Sequence, residues 1–193
     1  MRRPRFRLRL LSVLVLVPAL AACDAGSLDD AGSNAARADA PDAAARSVNA
    51  QLAAVRALTA PYHDFAAGEE AGWAVDISEG CVPEMGHHYG NLEYVLDGGF
   101  VTPLEPEVLL YEPQRNGRKR LVGVEYVVPV YSEEDGPPPY PQPAEAPPVL
   151  FGEDFHWNPF LGLWMLHVWI WKNNPDGMFT DFNPTVSCEY AQS

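Results

Sequence analysis

The stretch Leu121-Val122-Gly123-Val124-Glu125-Tyr126-Val127-Val128-Pro129-Val130 decides the fold. Valine and tyrosine dominate it, and both favour a pleated strand. Just upstream, Asn116-Gly117 is a two-residue hairpin signal. Before that, Val108-Leu109-Leu110-Tyr111 has the length and composition of a short buried strand. Two antiparallel strands joined by a tight turn follow from this pattern alone. Downstream, Val149-Leu150-Phe151 and Met165 to Trp171 are expected as further strands. Between them, seven prolines from Pro137 to Pro148 predict an extended, polyproline-like surface loop. Asn174-Pro175-Asp176-Gly177 has the residue order of a type I turn.

Upstream of the strands the period changes. Val48, Leu52, Val55 and Leu58 recur at helical spacing after Ser47, a good helix-capping residue. A break is expected at Thr59-Ala60-Pro61, and a second helical piece carries Tyr62, Phe65 and Ala66 to a stop at Gly72. Helices first and strands afterwards predict an α+β domain. Its N-terminal helical segments would be followed by a mainly antiparallel β-sheet or a small barrel-like domain. Residues 47–193 would form this single globular unit.

The 193 residues are 47% apolar, enough for a packed core and too many for wholesale disorder. Charge is placed unevenly. Five of the 13 basic residues are Arg2, Arg3, Arg5, Arg7 and Arg9, and no acid precedes Asp24. Without this leader, 8 basic groups face 26 acidic ones, a net charge of −18. A surface that acidic repels phosphate and excludes nucleic-acid binding.

Leu10 to Ala22 is an uncharged apolar run of 13 residues, shorter than the roughly 20 a membrane-spanning helix needs. A basic segment followed by such a run is the pattern of a secretory signal peptide, expected over residues 1–22. Leu20-Ala21-Ala22-Cys23 resembles the bacterial lipobox, which implies that Cys23 is acylated and becomes the mature N-terminus. The chain would then be held at a membrane of the cell envelope, facing the periplasm or the exterior. Residues 24–46, dominated by Ala, Asp, Gly and Ser, have no apolar period and are expected to be a flexible tether reaching roughly 25 Å.

With Cys23 assigned to lipid, Cys81 and Cys188 remain. An even pair in an exported chain is expected to form a disulfide. Closing a loop of that length stabilises a fold by about 4–5 kcal/mol in the chain-entropy description.

The candidate chemistry lies in three segments. Met85-Gly86-His87-His88-Tyr89-Gly90-Asn91 puts two histidines between glycines; in a strand they point apart, so one of them faces inwards. Glu125 is the only charge in its apolar strand. It would share a face with Leu121, Gly123 and Val127, and that face is either buried or wetted. His167, in Met165-Leu166-His167-Val168-Trp169-Ile170-Trp171, sits in a strand that is apolar on both faces and is either a structural residue or a ligand. Imidazole and carboxylate together form the ligand set of zinc, iron or copper sites, and equally a general acid/base set. His88, Glu125 and His167 are therefore the candidate ligands of a divalent transition metal, in a pocket walled by Tyr89, Trp169 and Trp171. His156 is a fourth candidate, expected in a loop. No G-x-S-x-G, H-E-x-x-H or phosphate-binding glycine loop is present.

The segments Met85 to Asn91, Leu110-Tyr111-Glu112-Pro113, Arg120 to Tyr126, Leu166-His167-Val168-Trp169, and Asn174 to Phe179 through Asn183-Pro184 to Cys188 form a recurring pattern. Residues 81–188 resemble a family of bacterial exported proteins of unestablished function, although His87 and Gly90 depart from its pattern. The resemblance implies that His88, Glu125 and His167 belong to signature segments; it implies no activity. Three functions are consistent with the sequence. One is a tethered module binding a metal or small ligand. Another is a hydrolase or lyase-like enzyme using the same His/Glu set. The last is a structural lipoprotein whose surface meets an envelope protein.

Overall fold

The computed structural model describes residues 47–191. The expected signal peptide, the lipid site at Cys23 and the tether lie outside the described residues. The rest is an α+β domain: an N-terminal helical segment followed by a mainly antiparallel sheet.

Helix α1 spans residues 47–59 and buries Leu52 and Val55. Pro61 lies at the start of a 3-10 turn, Ala60–His63. Asp64 then caps α2, Phe65–Glu70, by accepting a hydrogen bond from the Ala66 amide. Gly72 ends this segment in a left-handed conformation, φ +110°, which a glycine adopts without steric cost.

Six strands form one open sheet in the order β1-β2-β3-β4-β8-β7, each pair antiparallel. They are β1 (Trp73–Asp76), β2 (His87–Asn91), β3 (Val108–Pro113), β4 (Lys119–Pro129), β7 (His156–Asn158) and β8 (Leu163–Val168). A short α3, Leu92–Val95, follows β2. A separate ribbon pairs β5 (Val149–Leu150) with β6 (Glu153–Asp154). The β3–β4 hairpin turns through Asn116-Gly117, but by a three-residue loop and not the expected two: the Gln114 amide donates to the Arg118 carbonyl, and Gly117, at φ +74°, donates its amide to the Gln114 carbonyl. Beyond β4, the proline-rich segment carries only a 3-10 turn at Glu133–Asp135.

Two irregularities change which side chains share a face. In β4, Leu110 pairs with Gly123 while Tyr111 pairs with Leu121, so Val122 is the extra residue of a bulge. Leu121 therefore joins Val124 and Tyr126 on one face, and Val122 joins Val127 on the other. The expected alternation from Leu121 to Glu125 breaks there. The second irregularity is at the end of β8. The ladder stops at Val168, short of Trp171, where the Ile170 amide turns back to the Val168 carbonyl. That turn sends Trp169 and Trp171 to opposite faces.

The sheet is covered on both sides. On the helical face, Leu52 and Val55 of α1 pack with Leu109, Tyr111, Val124, Tyr126, Leu166 and Val168, and Phe65 of α2 lies against Tyr89 and Tyr111. On the distal face, Val108, Leu110, Val122, Val127, Met165 and Trp169 pack under Val186 from the C-terminal segment. A Cys81–Cys188 disulfide joins that segment to the start of the strand region, with Cα atoms 5.8 Å apart. Glu112 ties the segment down as well, accepting from Lys172 Nζ at 2.6 Å and from the Ser187 amide at 2.9 Å.

Candidate metal centre

The distal face brings His88, Glu125 and His167 together. Glu125 on β4 and His167 on β8 are direct cross-strand partners. His88 on β2 reaches over β3 from two strands away. Adjacent histidines do point apart: His87 turns to the other face and meets Asp76 at 2.7 Å, leaving His88 inward. Glu125 is buried, which excludes the wetted alternative for its face. Glu125 Oε1 lies 3.7 Å from His167 Nε2, and Glu125 Oε2 lies 3.9 Å from His88 Nε2. One donor atom from each of the three residues falls within 4.8 Å of the others.

These contacts are too long for hydrogen bonds. His88 Nδ1 and both ring nitrogens of His167 are buried without a hydrogen-bond partner. Nor are the contacts ion pairs. Burial holds the His88 imidazole down to about 4, against a smaller upward pull from Asp76. Burial, then His88 and His156, press His167 well below its usual range. Burial, reinforced by Asp181 and Glu107, pushes Glu125 up to about 8. At neutral pH the trio is two neutral imidazoles around a protonated carboxyl.

A partner with bonds of about 2.1 Å to three such donors would sit among atoms roughly 3.4 Å apart in tetrahedral geometry. Donor atoms that lie within 4.8 Å of one another are that arrangement opened by up to about 1.4 Å. Two neutral imidazoles and one carboxylate suit zinc or another divalent transition metal better than calcium or magnesium, which prefer all-oxygen sites.

The expected walls are corrected in part. Trp169 stacks on His167, ring centres 5.7 Å apart and 12° between planes. Tyr89 does not line the site, because it alternates with His88 and packs on Phe65 and Tyr111 across the sheet. Trp171 is also on the helical side, donating its indole N–H to Thr59 Oγ1. His156 lies in strand β7 and not in a loop; its ring is half exposed and meets Asp181 at 2.7 Å.

Sequence reasoning missed two acids. Asp181 Oδ1 faces His167 Nδ1 at 3.9 Å; its signal was an acid set between Phe179 and Phe182. Glu107, buried just before β3, accepts from the Val127 amide, and burial raises it to about 8. Its signal was a charge abutting the apolar run Val108 to Tyr111.

No protein-family description, curated protein or solved structure matches the chain.

Proposed function

We propose that the chain is an exported lipoprotein whose domain binds one divalent transition metal, zinc above all, through His88, Glu125 and His167. One observation carries this reading. The buried Glu125 carboxyl lies between the Nε2 atoms of His88 and His167 and hydrogen-bonds neither, and His167 Nε2 is buried with no partner at all. Each unsatisfied buried group costs about 1–3 kcal/mol. A single ion would satisfy one nitrogen from each ring and the carboxylate together. The anchor and envelope location rest on Leu20-Ala21-Ala22-Cys23 and the basic leader.

Burial favours binding over an enzymatic use of the same residues. The three side chains are 1–9% exposed, so a substrate would need the C-terminal segment moved aside. Elemental analysis of the full chain, purified and equilibrated with zinc, tests the site. One zinc per chain is expected, falling to none for His167→Ala and sharply for His88→Ala and Glu125→Gln. Zinc content unchanged in all three variants would end the proposal. Labelling with a fatty-acid probe tests the anchor: wild type should take the label and Cys23→Ser should not.

A further inference from the structure

We infer that Asp181 is a positioning residue for this centre, the outer carboxylate that holds His167 in the tautomer an ion requires. The inference rests on the metal reading and extends it past the three ligands.

His167 presents Nε2 to Glu125, so Nε2 is the nitrogen that would take the ion. A neutral imidazole bound through Nε2 carries its proton on Nδ1. That N–H is buried and has no hydrogen-bond partner. The carboxylate facing it is Asp181, with Oδ1 3.9 Å away. A closure of about 1 Å would make an N–H···O hydrogen bond. Metal-bound histidines commonly donate their second nitrogen to a carboxylate in this way, which fixes both ring direction and tautomer.

Asp181 is held in place from two sides. From outside, His156 Nδ1 lies 2.7 Å from the same Oδ1. From inside, Trp169 stacks on the His167 ring and donates its indole N–H to the carbonyl of Thr180 at 2.7 Å, one residue before Asp181. The Trp169 amide also donates to the Met178 carbonyl. One tryptophan therefore fixes both the ligand ring and the loop bearing its acceptor. The charges also match, since Glu125 and Asp181 as carboxylates balance a 2+ ion.

The test is a zinc competition titration of the full chain against a chromogenic chelator, for wild type, Asp181→Ala and Asp181→Glu. Asp181→Ala should bind zinc about 10–100-fold more weakly while still filling to one per chain at saturation. Asp181→Glu should recover part of the loss. Nitrogen-15 spectra of zinc-loaded wild type should show His167 protonated on Nδ1. Melting curves in chelator should be alike for wild type and Asp181→Ala. Affinity of Asp181→Ala within twofold of wild type overturns the assignment and leaves the metal site standing. An affinity loss matched by an equal loss of metal-free stability, with no recovery in Asp181→Glu, also overturns it, because the role is then structural. A wild type that takes no zinc overturns both readings at once.

Discussion

The two faces of one sheet are built by different rules. On the helical face one buried polar atom among the described residues, the indole nitrogen of Trp157, has no hydrogen-bond partner, and the others have one. Tyr111 donates to the Tyr62 carbonyl, Tyr126 donates to the Pro103 carbonyl, and Thr59 donates to the Val55 carbonyl and accepts from Trp171. On the distal face three imidazole nitrogens have none. The helical face is covered by residues adjacent in sequence to the first strand. The distal face is covered by the C-terminal segment, brought back by a disulfide and the Glu112–Lys172 pair. Satisfied groups stabilise; unsatisfied ones persist only where the rest of the fold holds them. The cluster of three unpartnered nitrogens on two neighbouring rings is the ground for proposing the site on the distal side.

The comparison can be broken most forcefully at the staple. Replacing both Cys81 and Cys188 by Ser should lower stability by about 4–5 kcal/mol in denaturant titrations, and hydrogen exchange should rise first in the C-terminal segment over the distal face. Uniform loosening of both faces would contradict the separate anchoring described above.

Leu109→Ala opens a cavity on the helical face, where Leu109 is fully buried. It should cost about 2–5 kcal/mol and leave zinc affinity unchanged per folded molecule. A parallel loss of zinc affinity would show that the faces are coupled.

Glu107→Gln gives a pH signature. Burial raises this acid from 4.5 to about 8 in the folded chain. Below pH 4.5 it is neutral folded or unfolded, and the substitution should change little. As pH rises towards 8 the unfolded chain ionises and the folded one resists, so the wild type loses stability that the Gln variant keeps. The variant's advantage should grow across that window, to on the order of 3 kcal/mol at pH 7. A difference independent of pH would contradict the burial of a neutral acid there.

The sharpest contrast has the smallest amplitude. Tyr126→Phe removes a satisfied hydroxyl and should destabilise by about 1 kcal/mol. His88→Leu removes an unsatisfied imidazole and should stabilise the metal-free domain by a similar amount, about 1 kcal/mol, while weakening zinc binding. Melting in chelator reads both. Equal signs would mean that the two faces do not differ as described.

Much of the hairpin was legible because strand composition and the Asn116-Gly117 turn act locally. The inward turn of His88 followed from strand alternation, and its separation from His87 from the same rule. What stayed hidden was phase. The bulge at Val122 and the turn at Val168–Ile170 each shift a strand by one residue, and neither has a glycine or proline at the shifted position to mark it. Trp171 was therefore placed on the wrong side; Tyr89 was misplaced although the plain alternation that turns His88 inward turns Tyr89 to the opposite face. Strand β1 was missed because Trp73-Ala74-Val75-Asp76 is too short to show a period. Asp181 was missed because its partners are 14 and 25 residues away, beyond the reach of any local pattern.

The central claim is that one ion sits among His88, Glu125 and His167. X-ray absorption at the zinc edge of the loaded full chain addresses it directly. The expected result is a first shell of nitrogen and oxygen at about 2.0–2.1 Å with imidazole outer-shell scattering from two histidines, and no sulfur at about 2.3 Å. A sulfur-containing shell, an oxygen-only shell, or a spectrum unchanged in His167→Leu would contradict the account.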